Sequence, residues 1–424
     1  MWTDSRDDAV ALMDSPVMEA MESRLLLDVT PEVIALGGKT QYTDFSGNVV
    51  TVKLTGGTGT LSLDKETLTG DNLESDLERQ WITAISITAV GDNCKLIISV
   101  NGKKTTTVIN EITVTGGSLK TLKAPKVILA GILVYDDEDN MLVRQQGKLE
   151  MSAANGASIS LNKLNCATVL LTGTSTKVVS VNVTGSTFFR SSIVAYDTVE
   201  SAGYGVALKA KKASVNMNSA GLDGKLSTVT AAYFTKINVA GLVGGTLKAH
   251  TYDSKDVSLS RLNVRGAIDK TKITAPGTIG NITAHEIRVG TIIEADALNR
   301  LNTRGAKANV KKGILASSGD MGATIDLLGT LGKTRTLGSA KIKGSIMGDV
   351  TITGDTGSIR ARHLLADLTI TGNTKVRIQR DVLEEGTSLG KPLIHIGSGS
   401  VRGALGTTKV SVPTSFFVSG WSTA

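Results

Sequence analysis

Between Gly245 and Gly372 an aliphatic residue is followed by a polar one, a small or β-branched one and then a cation, and the arrangement recurs. It reads Leu247-Lys-Ala-His250, Leu262-Asn-Val-Arg265, Ile282-Thr-Ala-His285, Leu301-Asn-Thr-Arg304, Ala340-Lys-Ile-Lys343 and Ile359-Arg-Ala-Arg362. The spacing lies at the lower edge of that of solenoid repeats. Two intervals depart from it. The step from 247 to 262 is short, and the step from 301 to 340 is double the others, which predicts a skipped or distorted copy near Gly313 to Gly332.

A second set of apolar residues follows each copy after a polar turn: Ile268 and Ile273, Ile287 and Ile292, then Ile346, Val350 and Ile352, then Leu364, Leu368 and Ile370. Short β-branched runs bounded by Gly, Asn, Asp or Thr predict strands, and no window of helical length carries a sustained helical stripe. The predicted unit is strand, turn, strand, turn. So small a unit closes no core alone; stacking each coil on the last pairs strands in parallel and piles aliphatic side chains into an inner column. The predicted class is all-β, a parallel β-solenoid (β-helix). Burying one aliphatic side chain contributes roughly 1.5–3 kcal/mol, against roughly 1–2 kcal/mol of backbone entropy per ordered residue. Stability therefore depends on many neighbouring coils.

Outside this stretch the pattern changes. Val10, Met13, Val17, Met21 and Leu25 recur at helical steps interrupted by Pro16, predicting a short N-terminal helix within an arm at 1–30. Residues 31–116 alternate in Val50–Leu54, Trp81–Thr88 and Lys95–Val100 between Gly and Asn turns, which predicts a small antiparallel β module, a sandwich or a cap on the solenoid. Residues 117–405 read as the solenoid. Residues 406–424 gather Phe416, Phe417 and Trp421, aromatics that the repeats lack, into a C-terminal cap. Tyr135 to Asn140 form an acidic loop dense enough in oxygen ligands to suit calcium, but without EF-hand spacing or glycine, and it reads as a solvated turn rather than a metal site.

If Leu262 points inward, alternation sends residues 263 and 265 outward. Across copies the outward pairs are Lys248/His250, Asn263/Arg265, Thr283/His285, Asn302/Arg304, Lys341/Lys343 and Arg360/Arg362. Coils about 4.8 Å apart would line these up as a basic ladder. One reading is a solvated face moderated by Asp269, Glu286, Asp349 and Asp367. The other is a site for a linear polyanion such as an acidic envelope polysaccharide, held by Lys and Arg. Nucleic acid fits less well, because single-strand binders interleave aromatics and this stretch holds only Tyr252.

Composition agrees with a thin strand-and-turn architecture: aromatics are 4% of 424 residues and glycine numbers 46. The formal net charge of +7 permits attraction to polyanions without requiring it. Cys94 and Cys166 lie in no metal or redox spacing and read as unbonded packing residues. No apolar run is long enough for a transmembrane helix, and residues 1–20 lack a standard signal peptide.

The stretch Met21-Glu-Ser-Arg-Leu-Leu-Leu27, followed by Asp28 and Val29, resembles the LEPR-XLL motif near the start of large, repeat-rich bacterial envelope and secreted proteins. Met21 and Ser23 stand where the motif has leucine and proline. Gln41 to Gly56 is similar to the β-rich module that follows the motif, and Gly117 to Pro125 with the later repeats resembles the tails of such proteins. The resemblance implies a noncatalytic extracytoplasmic protein, at the cell surface or secreted, serving structure, adhesion or contact with an envelope matrix.

Enzyme chemistry finds little support in the residues. The enzyme alternative is a β-helix polysaccharide lyase or hydrolase; hydrolysis needs paired carboxylates, and Glu294 with Asp296 is the best local pair. His250, His285, His363 and His395 offer no metal-ligand spacing, and no GxSxG elbow occurs. Gly397 to Gly403 is glycine-rich without the lysine of a phosphate loop and reads as a turn. No cofactor and no metal is expected.

Overall fold

The structure, a computed structural model, describes residues 32–44, 46–68, 77–102, 106–136, 141–173, 175–197, 202–217, 227–308, 316–379, 393–402 and 409–411. The predicted N-terminal helix and the aromatic C-terminal cap lie outside them, as does the tip of the acidic turn.

Aliphatic residues at matching places in successive coils stack in register, so each strand is held by its neighbours above and below. Leu122, Ile159, Val181, Leu208, Ile237, Leu262, Ile282, Leu301, Ala340, Ile359 and Val376 form one continuous column of parallel partners. All are buried. A second column runs from Ile112 through Leu149, Val169, Ile193, Val229, Leu247, Ile273, Ile293, Ile325, Val350 and Leu368 to Ile394. A third joins Leu129, Leu164, Phe188, Val215, Leu242, Ile268, Ile287, Met321, Ile346 and Leu364. The three share one core. This is the parallel β-solenoid that the repeat predicts.

The coil has three strand segments, not two. Its third segment is very short, as in Ala267–Asp269, Glu286–Ile287 and His363–Leu364, and by sequence it merges with the strand that follows. Ile268 and Ile273 therefore belong to different sheets. In the next coil Ile293 fills the second column, while Ile292 points outward at 37% exposure.

No copy is skipped between 301 and 340. Leu301 and Ala340 are direct neighbours, so the doubled interval is one coil carrying two excursions. The first leaves after Thr303 and returns through a reciprocal antiparallel bridge between Ala306 and Ser317 (3.0 and 2.9 Å). The second spans 328–336 and is anchored on Asp296.

Between the third and second sheets the chain turns with one residue in the left-handed region: Cys166, Arg190, Lys270 or Gly290 (φ 50, 45, 47 and 85°). After Arg190 and Lys270 comes a fully buried Ser191 or Thr271, whose hydroxyl donates to the carbonyl of Phe189 (2.7 Å) or Asp269 (3.0 Å). This satisfies backbone that the corner would otherwise leave unpaired.

The N-terminal module is antiparallel and continues two faces of the solenoid. Strands β1 (Glu32–Leu36), β4 (Gly57–Leu68) and β5 (Leu77–Ala89) pair in that order, as do β2 (Lys39–Thr43), β3 (Val49–Thr55) and β6 (Cys94–Asn101). Both β5 and β6 then pair in parallel with β7 (Thr107–Ala130), which makes the switch from hairpins to coils. Neither Cys94, which is buried, nor Cys166 forms a disulfide among the described residues. Gly397 to Arg402, expected as a turn, lie in the strand Leu393–Arg402. At its corner a side chain on Gly397 would collide with the backbone of Thr371 and Gly372, so glycine there marks close packing of coils.

Candidate functional site

Alternation along each strand of the first sheet turns the residues beside the inner column outward. Immediately after that column stack Asn182, Lys209, Asn238, Asn263, Thr283, Asn302, Lys341, Arg360 and Arg377. Two residues further on come Arg265, His285, Arg304, Lys343 and Arg362, where the ladder continues through Arg265 N to Val239 O and Arg304 N to Ala284 O (each 3.0 Å). Just before the column are Lys236, Arg261, Asn281, Arg300, Ser339, Ser358 and Lys375. From the coil of Ile159 to that of Val376 these three rows hold no aspartate or glutamate.

The structure thus brings together Arg265, His285, Arg304, Lys341, Lys343, Arg360 and Arg362. It removes Lys248 and His250. Lys248 stacks between Thr230 and Thr274 on the second sheet, because Leu247 belongs to the second column. Its string of residues mimics the repeat while occupying another side, which also explains the short interval to Leu262.

Cations that the motif missed join the face: Lys209, Lys236, Arg261, Arg300, Lys375 and Arg377 are all exposed. Arg261 and Arg300 precede the aliphatic residue, where the same alternation points outward. Arg377 lies in Lys375-Val-Arg-Ile378, one coil beyond the stretch in which the motif is regular.

Three of the acids expected to moderate the row have partners elsewhere, although Glu286 also acts on the charge of His285. Asp269 and Glu286 both hold Arg288 (3.2 and 2.8 Å), and Asp349 accepts from Asp367 N (3.2 Å). Among the described residues the remaining ion pairs join Lys148 to Glu150, Lys272 to Glu294 and Lys333 to Asp256. None reaches the three rows. Lys341, Arg360 and Arg377 are direct parallel neighbours, and like charges so placed cost stability, roughly 0.2–1 kcal/mol per pair.

Amides occupy the same row earlier in the chain. Asn263 Nδ2 donates to Asn238 Oδ1 (3.2 Å). Oriented to satisfy its neighbours, the Asn302 amide donates to the Lys341 carbonyl and accepts from Arg304 Nε (each 3.3 Å).

His285 is the titratable member of the face. Partial burial pushes its pKa below the ordinary value and the Arg304 charge pushes the same way, with Glu286 opposing. At neutral pH the imidazole is therefore neutral, and it gains a proton only as pH falls through the lowered value. A bound polyanion favours the charged form and raises that pKa, so binding should tighten as pH falls toward the lowered value. For the free protein the sign is opposite: this group's stabilising contribution is present above the unfolded pKa and is lost as pH falls through the folded one. An NMR titration should show the His285 resonance moving to a higher pKa on adding a polyanion; identical curves with and without it would refute this.

Glu294 and Asp296 line one hollow of about 430 Å³, but their carboxylates are held by different partners. Glu294 is turned outward and paired with Lys272 (2.9 Å). Asp296 is 2% exposed and accepts from Thr330 N (2.5 Å), Thr330 Oγ1 and Leu331 N (3.1 Å). Its carboxylate ties down the 328–336 excursion, because Asp296 begins the corner where strict alternation ends. No cluster of three or more His, Cys, Asp or Glu suited to a metal occurs among the described residues. None of their helices is long and apolar enough to cross a membrane.

Comparisons with family models, with curated proteins and with solved structures find no match to this chain.

Proposed function

We propose that this protein is a noncatalytic β-solenoid scaffold acting outside the cytoplasm, and that its first sheet is the surface by which it holds acidic polymer of an envelope or matrix. The observation that carries the reading is the absence of carboxylates from three adjacent rows whose cations enter no ion pair among the described residues. A surface selected only for solubility would mix signs, as the second sheet does with Lys148, Glu150, Lys272, Glu294 and Asp326. Here stacked like charges cost stability and no ion pair among the described residues offsets them. A polyanion does so by exchanging its counterions for Lys and Arg, which makes binding fall steeply with salt. The extracytoplasmic setting and the structural or adhesive role rest on the resemblance of Met21 to Leu27 and the following β-rich stretches to LEPR-XLL proteins.

The test is retention on an immobilised polyanion across a salt gradient. Wild-type protein should be retained at low salt and released as salt rises, and the combined variant Arg265→Gln, Arg304→Gln, Arg362→Gln should elute earlier. All three side chains are exposed, so the variant should keep its fold and, with repulsion relieved, lose no thermal stability. Equal retention of the two proteins would defeat the assignment of this face.

A further inference from the structure

The arrangement of the cations goes further and, resting on the function proposed above, narrows the class of polymer. We infer that the face takes an extended acidic polysaccharide with one carboxylate per sugar, lying along the solenoid axis, with its charged stretch on the coils of Ala340, Ile359 and Val376.

Three observations lead there. First, the rows are strictly in register: Lys341, Arg360 and Arg377 are consecutive partners, so positive groups repeat once per coil, about every 4.8 Å. A 1,4-linked uronate advances by close to that distance per sugar, and because successive sugars are turned about the chain axis, their carboxylates fall to the cations of neighbouring rows as well as the central one. Along a strand the next outward residue lies about 7 Å away, so a chain lying parallel to the strands would lose this match.

Second, the face changes character along the axis. Asn238, Asn263, Thr283 and Asn302 precede Lys341 in the same row. Amides and hydroxyls suit sugar hydroxyl groups, whereas the coils of Ala340, Ile359 and Val376 add Lys343, Arg362 and Lys375 beside the central cations. A hollow of about 760 Å³, lined in part by Arg360, Lys375, Arg377 and Gln379, opens on this charged end.

Third, the rows contain no tryptophan, tyrosine or phenylalanine. Single-stranded nucleic acid draws its binding from bases stacked on such side chains as well as from phosphate contacts. A carboxylated sugar chain needs only forked and point-charge donors, which these rows supply.

The experiment is calorimetric titration of the full chain at low salt with size-defined oligogalacturonates, hyaluronan, fully methyl-esterified galacturonan, polyphosphate and oligo-dT. Galacturonate hexamers should bind, and affinity should rise with each added sugar from trimer to hexamer. Hyaluronan, with a carboxylate on every second sugar, should bind at least about tenfold more weakly at equal length, since even one lost charge-assisted contact implies that much. The methyl ester should not bind. Arg360→Gln with Arg377→Gln should weaken galacturonate binding by about tenfold or more, and Arg261→Gln with Arg300→Gln should have a much smaller effect; circular dichroism confirms that both variants fold. Equal affinity for all four polyanions at matched charge would overturn the one-carboxylate-per-sugar match while leaving the proposed polyanion-binding function intact. Tighter binding of oligo-dT or polyphosphate would reassign the partner. Failure of every polyanion to bind would remove the proposed function itself.

Discussion

Replacing Ile282 by aspartate is expected to unfold the central coils rather than merely weaken them. Ile282 is fully buried between Leu262 and Leu301. The change removes an aliphatic contribution of roughly 1.5–3 kcal/mol and adds an uncompensated buried charge costing several kcal/mol, which together rival the whole stability of a typical domain, about 5–15 kcal/mol. No cation lies inside the column to pair with the new carboxylate, and the strand cannot rotate to expel it without moving every alternate side chain to the wrong face. Because each coil touches only its neighbours, the damage should spread outward from 282. Ile282→Val should cost only about 0.5–1.5 kcal/mol. Urea unfolding followed by far-ultraviolet circular dichroism separates the outcomes: a cooperative transition at the wild-type midpoint for Ile282→Asp would contradict the stacked column.

Asp296→Ala is expected to release the 328–336 excursion. The carboxylate accepts from two backbone amides and one hydroxyl, and hydrogen bonds to a charged acceptor are worth about 1.5–3 kcal/mol each. Because these contacts share one acceptor they do not add in full, and a loss of about 3 kcal/mol is expected. Asn at this position keeps one acceptor oxygen and should cost less. Amide hydrogen exchange should quicken at Thr330 and Leu331 in Asp296→Ala, with little change at Leu262 or Ile282. A variant whose exchange is unchanged but whose action on a polysaccharide is lost would instead restore Asp296 to a catalytic role.

The inner column was legible because stacking makes it so. A residue pointing into a shared core must be aliphatic in every coil, and 262, 282, 301, 340 and 359 obey that rule wherever loops intervene. The third sheet was not legible, since its short segments hold a single buried residue such as Ile268 or Ile287, and period-two alternation cannot show in so short a run. Leu247 went into the wrong column for a related reason: Leu-Lys-Ala-His and Leu-Asn-Val-Arg have the same in-out pattern, and only the pairing partner distinguishes the sides. The cationic face was legible in its later half, where Lys341 to Arg362 follow the motif. Arg261 and Arg300 were hidden because the repeat was read only forward from the aliphatic residue. The freedom of the face from carboxylates was invisible, since Glu286 adjoins His285 in sequence yet turns a corner to hold Arg288.

The hairpins at the start of the chain give the molecule a direction of growth. Strands β2 and β3, and β4 and β5, pair across short stretches of sequence and close loops at little entropic cost, whereas every later segment needs a finished layer to land on. A chain emerging from the ribosome N-terminus first can therefore set down its foundation and then wind upward, one turn at a time. Shortening from the far end leaves a lower tower, whereas removing the foundation leaves later turns nothing to build upon.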